Sequence, residues 1–224
     1  MSETQYQPLH DLASGGLAEL GIMANYTWRT DPKRLGFTLA RYKFVAKMLA
    51  GCKRVLEVGC GDAWASAVVA RGVDTLVCVD FDERFVSYAK SRQLENVVVR
   101  KHDMTARPTF PPDRLLQEFD AAFALDVLEH VPADREGFFL GNMALSVGVH
   151  GTVIFGCPSL ESQPYASAVS RAGHINCKTE QGLRDTLSHY WRNVYLFGMN
   201  DETLHTGFGP MAHYRLAICT GAKL

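Results

Sequence analysis

The segment Val55-Leu56-Glu57-Val58-Gly59-Cys60-Gly61-Asp62 constrains this chain more than any other. An apolar run beginning at Arg54 ends in two glycines spaced G-x-G, and the small residues from Ala63 to Ala70 that follow have helical character. Such a run reads as a buried strand. The glycines read as a tight turn that lets the backbone approach a ligand closely. The pattern then repeats: the sequence predicts strands at 75–79, 96–100, 121–125 and 152–155, with helices at 83–92 and 132–147. A proline-broken stretch (Pro108, Pro111, Pro112) precedes the fourth strand. Strands alternating with helical segments imply βαβ units and a parallel sheet. Toward the end, a helix at 179–190 and strands at 193–197 and 214–219 are expected, the last two joined by a long loop. That suits an antiparallel edge. The expected architecture is therefore α/β: a Rossmann-like, doubly wound, seven-stranded sheet, mostly parallel with an antiparallel last strand, and helices on both faces.

The first 30 residues are weakly patterned. Asp31-Pro32 then reads as an N-cap followed by proline in the first turn. Leu35, Leu39, Tyr42, Phe44, Val45, Met48 and Leu49 recur at helical spacing up to Gly51. Residues 1–50 are thus expected to form a helical cap, and 51–224 the main domain, with an insertion at about 158–178 covering the site. The formal net charge of −1 speaks against a broad nucleic-acid footprint. The six cysteines include no C-x-x-C pair, no secretory leader is visible, and no apolar run approaches the roughly 20 residues that cross a bilayer. A cytoplasmic protein acting on a small molecule, with no nucleic acid and no membrane as partner, is expected. The oligomeric state is left open, a homodimer included.

Which ligand the glycines serve is decided by their neighbours. A dinucleotide fingerprint needs a third small residue where this chain has Trp64. Glu57, just before the glycines, would repel a pyrophosphate but attract an ammonium. S-adenosylmethionine has no phosphate and carries both an ammonium and a sulfonium, so the charge pattern favours it over NAD. Asp80, at the end of the second strand, is placed to accept from both ribose hydroxyls. Asp103 follows the third strand, where it could accept from an adenine amino group, and Asp126 closes the rim after the fourth.

These residues resemble the class I S-adenosylmethionine-dependent methyltransferases. VLEVGCGDA (55–63) is similar to that family's first motif and VCVDFDERFVSYA (77–89) to its second; KHDM (101–104), FDAAFALDVLEHV (119–131) and GTVIFGCPS (151–159) are similar to the third, fourth and fifth. The resemblance covers about residues 53–158. It implies cofactor contacts by Glu57, Gly59, Gly61, Asp80, Phe81, Asp103, Met104, Asp126 and Val127. The flanking segments look most like enzymes that methylate small metabolites or activated sugars for bacterial polysaccharides.

Tyr26, Trp28 and Arg29 are expected to form an aromatic–cation cluster, with Trp28 at the cofactor. Arg41 is expected to hold the cofactor's carboxylate, because arginine binds carboxylates bidentately. If the acceptor is a hydroxyl, a histidine suits removal of its proton. His174, in the glycine-marked insertion, is the first candidate and His130 the second; His205 and His213 read as loop residues and His102 as a strand-end residue. Asp126, Glu129 and His130 offer metal-binding atoms, but Glu129 and His130 have no i, i+4 partner, and no metal site is expected. The predicted function is O-methylation of a small hydroxylated acceptor, a sugar or sugar-like intermediate. N- or C-methylation of another small metabolite and a non-catalytic cofactor-binding subunit are the alternatives. Amino-directed methylation of bases is disfavoured, since the Pro111-Pro112 pair precedes Asp113 instead of following Asn or Asp.

Overall fold

The computed structural model describes residues 3–106 and 118–224; the proline-broken stretch with Pro108, Pro111 and Pro112 lies outside them. In chain order the elements are α1 (Gln7–Ser14), α2 (Gly21–Thr30), α3 (Lys33–Met48), β1 (Arg54–Val58), α4 (Ser66–Ala70), β2 (Thr75–Asp80), α5 (Glu83–Ser91) and β3 (Val97–Lys101). Then come β4 (Ala121–Leu125), α6 (Ala133–Val147), β5 (Thr152–Pro158), α7 (Ala168–Gly173), α8 (Glu180–Ser188), β6 (Trp191–Asn200), β7 (Thr203–His205) and β8 (Tyr214–Ala222). One sheet holds all the strands, in the order β3-β2-β1-β4-β5-β8-β6-β7. β1 to β5 pair in parallel, and β8 runs antiparallel to both β5 and β6.

Two details depart from the sequence reading. The sheet has eight strands, not seven, because the loop before β8 contributes the short β7 against the end of β6. The antiparallel last strand is not at the edge either: β8 inserts between β5 and β6 and is buried along most of its length. The apolar run at 214–219 reflects that interior place, since a central strand is covered on both faces.

Each face of the sheet carries its own core. On one, Phe139, Leu140 and Met143 of α6 and Leu183 and Leu187 of α8 pack on Val77, Ala122 and Phe155, with Trp191 beside them. On the other, Tyr42, Val45 and Leu49 lie with Val69 of α4 against Val55, Leu76 and Phe123. Of the periodic residues that predicted α3, Leu35, Tyr42, Val45 and Leu49 bury, whereas Leu39 and Met48 stay exposed. Asp31, however, ends α2 and places no cap on α3. α2 itself escaped prediction because only Ala24 of its ten residues is buried, which leaves almost no apolar stripe to read. Elsewhere the caps match local chemistry: Asp82 accepts from the Arg84 amide to start α5, and Thr179 from the Gly182 amide to start α8. No helix among the described residues is long and apolar enough to cross a membrane.

Candidate active site

Between β1 and β4 the winding of the sheet reverses, and open α/β sheets bind ligands at the carboxyl ends of the strands at such a switch point. Gly59 leaves β1 there at φ +74°, and a Cβ on it would lie 2.3 Å from Cγ2 of Val127, which follows β4. Both facts demand glycine. Gly61 adopts φ +55°, and a Cβ there would meet the sulfur of Met23 at 2.4 Å. Two expected rim residues, Gly59 and Val127, are therefore in contact, and α2 lies directly on the turn. Asp62, fully buried, holds it there. Its carboxylate accepts from the Met23 amide at 3.1 Å and faces Arg92, whose Nη1 donates to the Glu19 carbonyl.

Asp80 shapes the same turn. Oδ2 accepts from the Gly61 amide and Oδ1 from the Asp82 amide, both at 2.9 Å. A carboxylate has about four lone-pair sites, so acceptor capacity remains for hydroxyls. Phe81 next to it is exposed. Asp103 is also exposed, and its Oδ1 accepts from both the amide and the hydroxyl of Thr105. Met104 differs from the expectation: its side chain is buried in the core that also holds Val79 of β2 and Ala124 of β4, because it is the apolar residue of an otherwise polar corner.

Glu57 lies below the turn, not on its open side. It is 1% exposed, Oε1 accepting from the Tyr42 hydroxyl at 2.8 Å and Oε2 from the Cys78 thiol at 3.3 Å. Burial pushes its pKa up, against the opposing hydrogen bonds from Ser66, Tyr42 and Cys78. Arg41 likewise has a partner inside the protein. Its Nη1 donates to both oxygens of Asp126 at 3.0 Å, and its guanidinium carbon stacks 3.6 Å above the Tyr214 ring. Burial alone would lower its pKa, but Asp126, Tyr214 and Glu129 more than offset that and the pKa is raised. Arg29 donates to Asn25 instead of turning to Tyr26 or Trp28, which are both exposed; Trp28, at i, i+1 to Arg29 and i, i+2 to Tyr26, does not face either along the helix.

The other side of the rim assembles around Glu129 and His130, in the 3-10 turn Leu128–His130 after β4. Asp126 enters that turn at φ +56°, a conformation Asp tolerates better than most residues. His130 Nδ1 lies 2.8 Å from the Gly173 carbonyl. His174 packs edge-on against His130 with ring centroids 5.2 Å apart, and its Nδ1 contacts Gln163 Oε1 at 2.9 Å. Burial, then the neighbouring His130, pulls the His174 pKa down. The two histidines expected at the acceptor side are thus brought together by α7. Glu129, passed over as a metal ligand in the sequence, is 1% exposed, and neither carboxylate oxygen has a hydrogen-bond partner among the described residues. Burial, reinforced by Asp126, pushes its pKa well above the usual carboxylate range. His205 sits in β7 with Nε2 against Asn200, and the His213 carbonyl accepts from the Ser159 amide.

A rim rich in carboxylates, with glycine backbone and an exposed aromatic, fits a positively charged nucleoside better than a phosphate. The comparisons with known proteins agree. The family described as "Methyltransferase domain" matches residues 56–143. The ubiquinone biosynthesis O-methyltransferase of Pseudomonas fluorescens (strain SBW25) is 30% identical over 82% of this chain and 67% of its own length. The enzyme of the same name from Pseudomonas entomophila (strain L48) is 27% identical over the same shares. Among solved structures, the methyltransferase domain of bacterial CtHen1-C superposes with a TM-score of 0.65 at 19% identity, covering 83% of this chain and 100% of that one. The N-methyltransferase NodS of Bradyrhizobium japonicum WM9, in complex with S-adenosylhomocysteine, gives 0.60 at 15% identity, covering 98% and 99%. At such identities these structures speak for the fold. The chain belongs to the class I S-adenosylmethionine-dependent methyltransferases, and S-adenosylmethionine is its methyl donor.

Proposed function

We propose that this methyltransferase transfers the methyl group to a hydroxyl oxygen of a small acceptor, and that Glu129, His130 and His174 form the acceptor side of the site. The observation that carries this reading is the meeting of the two imidazoles beside Asp126, each with Nδ1 turned to an oxygen acceptor and Nε2 left for the site. Polar groups that take up or weaken the hold on a proton are needed for an alcohol and far less for an amine that is already nucleophilic. The relatives' name, ubiquinone biosynthesis O-methyltransferase, supports oxygen as the acceptor atom.

S-adenosylmethionine supplies the methyl group from its sulfonium, so positioning of the acceptor provides most of the remaining rate. On the donor side we assign Gly59, Gly61 and Val127 to the close backbone approach and Asp80 to the ribose hydroxyls. Phe81 and Asp103 are assigned to the adenine. Arg41 acts by holding Asp126. The segment at 158–178, which delivers His174, covers the acceptor.

The test is an acceptor panel with methyl-labelled donor: a dihydroxybenzene, hydroxylated quinone precursors, sugar nucleotides and primary amines. Label in an aryl or alkyl ether is the expected result, and a sugar ether among them would establish the sugar-like acceptor that the flanks suggest. Label found only in amines would overturn the oxygen reading.

A further inference from the structure

We propose that α1 and α2 form the contact between two copies of this chain. In this two-fold dimer α1 of one copy lies across α2 of the other and across the elbow, residues 29–34, that leads into α3. The inference is independent of the acceptor-side reading above. It rests on three observations: an uncovered helix, the size of the apolar surface beside it, and the distribution of unpaired charge.

α1 has eight residues, and none of them is buried. Helices shorter than about 12–15 residues are marginal in water unless an apolar face is packed. Leu9 and Leu12, three positions apart and so on one face of α1, are 61% and 75% exposed. α1 therefore requires a surface that covers its leucines.

More apolar surface follows directly. Leu17 and Leu20, between the helices, and Ile22 and Tyr26 of α2 are exposed as well. Ile22 and Tyr26 lie one turn apart, on the side of α2 opposite the buried Ala24. At roughly 100 Å² apiece, these side chains together with Leu9 and Leu12 expose about 600 Å². That approaches the ~800 Å² per partner of a standard interface, and it reaches the upper limit of what a monomer leaves bare. The base of the patch is fixed: Asp62 holds the Met23 amide, and Arg92 donates to the Glu19 carbonyl at 2.7 Å.

Charge selects the occupant. Residues 3–28 contain Glu3, Asp11 and Glu19 and no Lys or Arg, whereas the elbow carries Arg29, Lys33 and Arg34 against Asp31 alone. None of these side chains joins an ion pair among the described residues. In one chain the acids precede α2 and the bases follow it. A two-fold axis brings the acidic end of each copy onto the basic elbow of the other, so the same patch complements itself twice. A lipid surface suits it less, because membranes recruit apolar helices through basic residues beside the apolar face.

The experiment is analytical ultracentrifugation of the full chain. At tens of micromolar the parent should sediment with twice the 24.8 kDa mass of one chain. Leu9→Glu/Leu12→Glu should weaken self-association by about a hundredfold or more. Both leucines are exposed, so this variant should melt as cooperatively as the parent. Charge reversal decides the arrangement. Asp11→Lys/Glu19→Lys and Lys33→Glu/Arg34→Glu should each weaken their own dimer by about tenfold or more, while an equimolar mixture of the two should associate as the parent does. In the mixed dimer every reversed group again meets its opposite across the two-fold axis. A monomeric parent would overturn the proposal, as would a dimer indifferent to Leu9→Glu/Leu12→Glu or a charge-reversed pair that mixing does not rescue. A monomer that pellets with phosphatidylglycerol vesicles would hand the patch to a lipid surface and overturn it as well.

Discussion

Along the carboxyl edge of the sheet, the rim over β1–β3 and the rim over β4–β5 are held in different ways. On the first, Asp80 and Asp103 are fixed by backbone amides of the turns they border. Asp80 takes the Gly61 and Asp82 amides, and Asp103 takes Thr105 two residues on. On the second, the side chains are fixed by groups from remote parts of the chain. Arg41 reaches Asp126 across 85 residues of sequence and Gly173 reaches His130 across 43, while Asn176 donates to Glu136 across 40. A rim made of turns is set once the strands pair, so its geometry is rigid and common to many chains of this fold. A rim made of long-range contacts depends on where α3 and α7 dock, and there one chain can differ from another in what it accepts.

The sharpest way to break this contrast is at the glycine turn. Gly59→Ala combines a Cβ placed 2.3 Å from Val127 with a left-handed φ that alanine resists. We expect a loss of roughly 3 kcal/mol or more in stability and no measurable S-adenosylhomocysteine binding by calorimetry. Normal affinity in that variant would show that the turn is more pliable than its geometry states. Asp80→Ala should come next. It removes hydroxyl contacts and also frees the Gly61 amide, so affinity for S-adenosylhomocysteine should fall by about 2–3 kcal/mol in a protein that still melts cooperatively. An unchanged dissociation constant would take the ribose away from Asp80.

On the long-range side the effects should be smaller. Arg41→Met leaves Asp126 without its counter-charge and Tyr214 without its stacked cation. Because both ionic groups retain some solvent contact, urea denaturation should report a loss of only about 1–2 kcal/mol. A loss matching that of Gly59→Ala would mean that α3 fixes the whole rim, and the contrast between the two sides would collapse. The smallest change is expected from Trp28→Ala. Its side chain is exposed on α2, so the midpoint of unfolding should move by no more than about 0.5 kcal/mol. Titration of the same variant with S-adenosylhomocysteine should show an affinity near that of the parent; a tenfold loss would return Trp28 to the cofactor.

The succession of strands and helices along the chain, the glycine turn and the acidic residues at successive strand ends were all legible in the sequence, because each is a local pattern. An apolar run of five residues, a G-x-G and a carboxylate after a strand announce themselves without reference to the rest of the chain. The insertion of β8 between β5 and β6 had no such signal, since an apolar strand reads alike whether it lies inside a sheet or at its edge. β7 and α2 were silent for the opposite reason: one is three residues long and the other buries a single alanine, too little apolar surface to leave a period.

Glu57 and Arg41 show where local reading stops. Their residue types suit a cofactor's ammonium and carboxylate, yet the fold hands Glu57 to Tyr42 and Cys78 and Arg41 to Asp126. A charge is claimed by whichever opposite or donor group packing brings within hydrogen-bond distance, and packing is a property of the whole chain. Glu129 and His130 show the converse. No residue one turn away along the chain completes them, so the sequence offered the carboxylate and one imidazole without the second. Only the docking of α7, which places Gly173 and His174 against His130, brings a second imidazole to the buried carboxylate. The sequence by itself determined the sheet, the turn and the donor; tertiary structure decided which charged groups remain for the acceptor, because long-range contacts choose the partners.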